Sequence, residues 1–166
     1  MKVHYDINNL PVFTRAVLTI GTFDGVHNGH KQILEAVKKT AKEINGESVL
    51  VTFHPHPRKI VSSAILGIRL ITTLEERIQL LEKEGINHLV VVPFTDAFAN
   101  QPASQYIEDF LLSNFRPHTI IIGHDHQFGR NREGSFDELK KMAPVYGFEL
   151  ERIPAQDINN VDISST

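Results

Sequence analysis

The 166-residue chain contains no cysteine, which excludes disulfides and thiolate metal sites and fits a reducing compartment, with the cytoplasm as the default. It has no apolar run near the length of a membrane span. Its opening residues, MKVHYDINNL, lack the basic-then-apolar design of a signal peptide. A soluble, cytoplasmic protein with no membrane partner is expected. Excess positive charge is also missing. A formal net charge of -3, with both signs interspersed, gives no general field to attract DNA or RNA, so nucleic acid is not an expected partner. There is no internal repeat, no low-complexity tract and no His-Glu-x-x-His helix. A chain of this length suits one domain, residues 1–166, that buries roughly two-thirds of its unfolded surface without crosslinks.

What is present is concentrated in TIGTFDGVHNGH, from Thr19 to His30. An apolar run from Ala16 to Ile20 reads as a buried strand. From Lys31 to Ile44, apolar residues recur at Ile33, Leu34, Val37, Ala41 and Ile44 with helical spacing. The loop between them carries Gly21, Gly25 and Gly29, which permit close backbone approach, and leads into a helix N-terminus with unpaired N–H groups and a positive dipole end. That is a phosphate site in the making. His27 and His30, three residues apart at this point, can lie on one helical face and converge on one ligand, each offering an N–H donor.

Strand and helix patterns then alternate. Ser48–Phe53 reads as a strand, and Thr73 to Lys83 as a helix opened by a Thr73-x-x-Glu76 capping box and ended near Gly85. His88–Val92 is a second β-branched run, Ser104 to Leu112 has helical spacing, and Thr119 to Ile122 reads as a central strand. A helix through Leu139 to Met142 and a strand from Phe148 to Ile153 complete the series. Such alternation predicts an α/β fold, a Rossmann-like parallel sheet with helices on both faces and ligands at the carboxyl ends of the strands. The motifs at His27 and His30, at His54 to Pro57 and at Gly123 to Gly129 each follow a strand, so they are expected to meet at one edge. Ser62 to Leu70 is less regular and reads as a flap over the site.

Six of the nine histidines fall in three pairs: His27 with His30, His54 with His56, and His124 with His126. Zinc is a possible reading of such clustering, but His54 and His56 alternate near a strand end and tend to face opposite ways, and no metal ligand is assigned. Pro55 and Pro57 remove two backbone donors and end strand pairing, leaving a stiff, extended wall. Arg130 and Arg132 flank an asparagine beside glycines and are candidates to clamp a triphosphate with their planar forks.

Four ordered blocks resemble a known family: GTFDGVHNGH at 21–30, TFHPHP at 52–57, GHDHQFGRNREG at 123–134 and ISST at 163–166. The first carries the His-x-Gly-His signature of the nucleotidyltransferase superfamily. Together the four resemble the adenylyltransferase module of the bifunctional bacterial riboflavin kinase and FMN adenylyltransferase, the FAD synthetases. The resemblance implies a nucleotidyltransferase (HxGH) type fold and transfer of AMP from ATP to FMN, giving FAD and pyrophosphate, with Mg²⁺ escorting the triphosphate. By that resemblance His27 and His30 are catalytic. Gly21, Thr22, Phe23, Asp24, Gly25, Gly29, Gly123, Asp125, Arg130, Arg132, Ser164, Ser165 and Thr166 bind ATP, while Phe53, His54, Pro55, His56, Pro57 and Phe128 line the flavin pocket. His126 stands where the family often has Phe. In the family an arginine follows the Ser-Thr pair and a riboflavin kinase domain follows the module; the sequence stops at Thr166 before either. The alternatives are a sibling nucleotidyltransferase using another phosphorylated acceptor, a metal-dependent hydrolase and a non-catalytic flavin or nucleotide carrier.

Overall fold

Four short segments rich in Val, Ile and Leu form the middle of the molecule. The computed structural model describes residues 1–23, 28–54, 73–124, 126–154, 157–158 and 161–162, with backbone alone for 28–29 and the last two pairs. In it β2 (Val17–Ile20), β3 (Ser48–Phe53) and β4 (His88–Val92) are buried along their whole length, as is β5 (Thr119–Gly123) up to its last residue. Such runs do not alternate because a parallel sheet is covered on both faces. Two outer strands, β1 (Lys2–His4) and β6 (Glu149–Ile153), flank them in the order β1-β4-β3-β2-β5-β6, and every pairing is parallel. The pairs β7 (Asp157–Ile158) and β8 (Val161–Asp162) form a separate antiparallel ribbon.

Helices cover both faces, as expected. On one, Leu34, Val37 and Ala41 of α1 (Asn28–Ile44) and Leu81 of α2 (Leu74–Lys83) pack on Val17, Leu50, Leu89, Val91 and Ile121. The opposite face is covered by α4, a continuous run through Ala103–Gln105, Tyr106–Leu112 and Ser113–Phe115, and by α5 (Phe136–Tyr146). There Tyr106, Ile107, Phe110, Leu111 and Leu139 meet Leu18, Ile20, Val49, Val51, Val90 and Ile122. The capping box on α2 forms as its sequence predicts: Thr73 Oγ1 accepts from Glu76 N at 3.1 Å and Glu76 Oε1 accepts from Thr73 N at 2.9 Å.

Five details differ from the sequence reading. β1 and a short helix α3 (Asp96–Ala99) were not anticipated, since three or four residues hold no readable period. The helix expected through Leu139 to Met142 runs from Phe136 to Tyr146, because Pro144 falls in its last turn, where the Gly147 and Phe148 amides close the end on the Ala143 carbonyl. The last central-sheet strand starts at Glu149, with Phe148 in the core before it. The middle of α4, Tyr106–Leu112, is wound as a wide π-helix. The flap expected over Ser62 to Leu70 lies outside the described residues.

Candidate functional site

The strand order reverses direction at β2. Chain progression runs from β2 through β3 to β4 on one side, and resumes with β5 and β6 on the other. In an open parallel sheet this reversal leaves a crevice at the carboxyl ends of the two strands that straddle it. Those strands are β2, which leads into Gly21–His30, and β5, which leads into the segment starting at Gly123. Because β3 lies beside β2 in the same direction, His54 shares that edge. The three segments expected to meet thus start from the same edge of the sheet.

The β2 loop starts under constraint. The Gly21 amide donates to the Val51 carbonyl at 3.0 Å, prolonging the ladder by one residue. Thr22 follows, and its carbonyl accepts from Thr52 Oγ1 at 2.9 Å. Phe23 then takes a left-handed backbone, φ 53°, which for a bulky residue costs about 1–3 kcal/mol and persists only where neighbours enforce it. Its ring is 2 % exposed, packs with Leu34, Leu50 and Val91, and folds back over Gly21, where a Cβ would lie 2.8 Å from a ring carbon. His30 sits in the first turn of α1 with its ring centroid 4.8 Å from that of Phe23. Asp24, Gly25 and His27 lie outside the described residues, and of Gly29 only the helical backbone is placed.

The β5 loop is built on backbone pairing. Phe128 and Gly134 exchange two N–H···O bonds, of 3.1 and 2.9 Å, so the segment between them closes into a small hairpin bearing Arg130 and Arg132. Gly129, at φ 81°, has Ala103 backbone atoms 3.2 Å from where a Cβ would be, a close approach only glycine permits. Both arginines are exposed, and Arg130 Nε lies 3.8 Å from Glu133 Oε1. His126, in the position the resemblance gives to Phe, packs its ring 5.7 Å from that of Phe128. Asp125 lies outside the described residues, as do Pro55, His56, Pro57, Ser164, Ser165 and Thr166.

Phe128, expected to line the flavin pocket, is 5 % exposed, stacks on Tyr106 at 4.6 Å and belongs to the main core. Phe53 is nearly as buried, under Phe94 and Phe98, each 5.5 Å away between centroids. Those two partly exposed rings, just beyond β4 and on α3, form an aromatic wall that the sequence reading missed. The signal was Pro93-Phe94 directly after a buried strand.

Arg77 was missed as well. It is fully buried, and its Nη1 donates to Thr52 Oγ1 at 2.9 Å and to the Phe53 carbonyl at 3.2 Å, at the carboxyl end of β3. The helix reading hid it because Glu75, Glu76 and Arg77 look like a solvated charged run. Yet Arg77 falls on the Leu74, Ile78 and Leu81 stripe, where an apolar residue would be expected.

Sheet order, the crevice at β2 and β5, and a His-x-Gly-His loop at the head of α1 define a Rossmann-like nucleotidyltransferase-type α/β domain. The FAD synthetase family model matches residues 11–166, and the chain belongs to that family. It is 33 % identical over 168 residues to the bifunctional riboflavin kinase/FMN adenylyltransferase of Escherichia coli strain K12, which covers all of this chain and 53 % of that protein. A putative bifunctional riboflavin kinase/FMN adenylyltransferase of Geobacillus thermodenitrificans is 36 % identical over 145 residues, covering 87 % of this chain and 77 % of that one. The chain thus spans about half the length of the E. coli relative.

Two solved structures share the fold. A Streptococcus pneumoniae protein described as a macrolide-efflux protein superposes with a TM-score of 0.82 at 23 % identity, over 99 % of this chain and 55 % of that one. A Thermus thermophilus pantothenate synthetase superposes at 0.52 and 15 % identity, over 93 % and 61 %. Among the described residues, no helix is long and apolar enough to cross a membrane.

Proposed function

We propose that this chain transfers AMP from ATP to FMN, giving FAD and pyrophosphate. The observation that carries the reading is the pairing of family membership over residues 11–166 with a crevice flanked by the His-x-Gly-His loop on β2 and the Gly-rich hairpin on β5. An FMN phosphate oxygen is already an anion and attacks the α-phosphorus of ATP in line, so no strong base is required. Catalysis then consists of positioning and of donors aimed at the charge that builds on the phosphates.

His27 and His30 serve as those donors toward α- and β-phosphate oxygens, with the amide end of α1 beside them. Asp125 binds the ribose hydroxyls or orients a histidine, Arg130 and Arg132 clamp the triphosphate, and Ser164 to Thr166 contribute further phosphate contacts. Residues 53–57 line the flavin, and Phe94 and Phe98 widen the apolar wall on which an isoalloxazine can lie. The donor set on the described part of this edge is imidazole, hydroxyl and backbone, which suits phosphate. Mg²⁺, a hard cation that prefers oxygen ligands, fits as a companion held by the triphosphate and water, where it offsets phosphate charge. A riboflavin kinase domain like that of the E. coli relative is the expected fused partner, and the cytoplasm the expected location.

Incubating the purified chain with ATP, Mg²⁺ and either FMN or riboflavin, then separating the flavins, tests the reading. FAD and pyrophosphate are expected from FMN alone. A chain that binds ATP and FMN yet releases no pyrophosphate would be a carrier instead.

A further inference from the structure

We infer that Arg77 and Thr52 form a positioning relay for His30. The relay rests on the adenylyl-transfer reading for its chemical purpose, but its geometry stands apart from it. Arg77 Nη1 donates to Thr52 Oγ1, and the same hydroxyl donates onward to the Thr22 carbonyl, each at 2.9 Å. A hydroxyl can accept and donate at once, so the guanidinium fixes which way the Thr52 proton points. The second bond of Nη1, to the Phe53 carbonyl, holds the guanidinium against the end of β3. With Thr22 tied down, the next residue is Phe23, whose left-handed backbone needs enforcement from outside, and whose ring meets that of His30. Charge, hydroxyl, carbonyl, strained backbone and ring make one contiguous path of packed or bonded groups from α2 to the head of α1.

A permanently charged side chain with no surface exposure is a costly occupant for the apolar stripe of a ten-residue helix. An aliphatic residue would fill the volume more cheaply if filling were its only task. What the guanidinium supplies instead is one nitrogen, Nη1, that donates to both the Thr52 hydroxyl and the Phe53 carbonyl at the base of the β2 loop.

The test uses Thr52→Val, which keeps the strand-compatible shape and removes the hydroxyl, alongside Arg77→Lys and the pair. Thr52→Val is expected to lower kcat for FAD formation about tenfold with KM for FMN within about twofold of wild type. In a His30→Ala background the same substitution is expected to cost less than about twofold, because the relay acts through that ring. The double variant Arg77→Lys with Thr52→Val should lose little beyond the worse single one.

The His30 imidazole signals in NMR spectra, assigned by their loss in His30→Ala, should move in Thr52→Val. Unmoved signals, or an undiminished Thr52→Val effect without His30, would overturn the relay even if FAD is formed. Absence of FAD from the unsubstituted chain would overturn the adenylyl-transfer reading alone, and the NMR shift would still decide the relay. Should Arg77→Lys fail to fold, the Thr52→Val measurements decide the relay by themselves.

Discussion

The two ends of the sheet hold histidines in opposite circumstances. At the carboxyl end, His30 stands at the head of a helix against a strained Phe23, and the exposed His54 follows β3. At the amino end, His88 opens β4 and is tied on both ring nitrogens: Nε2 to Glu47 Oε2 at 2.8 Å, and Nδ1 to His4 Nε2 at 3.0 Å. In neutral form His88 donates to Glu47 and accepts from His4, so the three side chains hold one another and leave no nitrogen of His88 for a ligand. Glu47 uses its other oxygen to accept from the Thr14 amide at 2.8 Å. A cavity of about 580 Å³ opens beside this trio, lined by Lys2, His4, Phe13 and Thr14 among others. His4 and His88, far apart in sequence, thus meet only in the fold and form a structural clasp, whereas His30 and His54 stand at the edge where such sheets take ligands. The strand direction tells which is which.

The contrast can be broken most sharply at His30. His30→Ala is expected to lower kcat by about 10²–10³-fold, the usual loss for one transition-state donor, while thermal unfolding stays near wild type. Equal turnover in the two proteins would move the catalytic role elsewhere. Asp125→Ala should come next, raising the Kd for ATP by about 10–100-fold and sparing FMN affinity, as isothermal titration can show. A loss confined to FMN would mean the nucleotide lies the other way round.

At the amino end the expectations invert. Glu47→Ala leaves His88 and the Thr14 amide without their acceptor and should cost about 1 kcal/mol in urea unfolding, with kcat unchanged. Acid should act on the same clasp. Hydrogen bonds from His88 and Thr14 hold the Glu47 carboxyl below its ordinary 4.5, and burial, with the nearby His88 and Lys2 charges, holds His4 below its ordinary 6.5. Both groups favour the deprotonated form in the folded protein. Their stabilisation is complete above about pH 6.5, and it is lost as pH falls through the lowered values, first for His4 and then for Glu47. The thermal midpoint should therefore drop on acidification below 6.5, and the later part of that drop should be shallower in Glu47→Ala. A midpoint that rises on acidification would reverse the assignment. Smallest of all, Thr73→Ala removes the side-chain half of the α2 capping box and should cost about 0.5–1 kcal/mol by the same urea measurement.

Much of this was legible because it is local. The buried runs of β3 and β4, the helical stripe of α1 and the Thr73-Glu76 box each announce themselves within a dozen residues. The crevice followed too, since each motif stands directly after a strand and parallel strands share an edge. What stayed hidden depends on partners distant in sequence. β1 has no pattern of its own and is a strand only because β4 accepts it, Lys2 beside His88. The stacking of Phe128 on Tyr106 and the acceptors that β3 supplies to Arg77 both come from elements distant in the chain. Composition cannot show which face of a ring or which end of a guanidinium another element will claim.

The β2–β5 pairing, Val17 beside Thr119 and Leu18 beside Ile120, joins a strand from near the start of the chain to one beyond its two-thirds point. On the ribosome, β2, β3 and β4 can assemble as they emerge, but the cleft between β2 and β5 has only one wall until translation passes residue 123. A nascent chain therefore carries the β2 loop before its crevice has a second wall, and the arrival of β5 supplies that wall in one closing step.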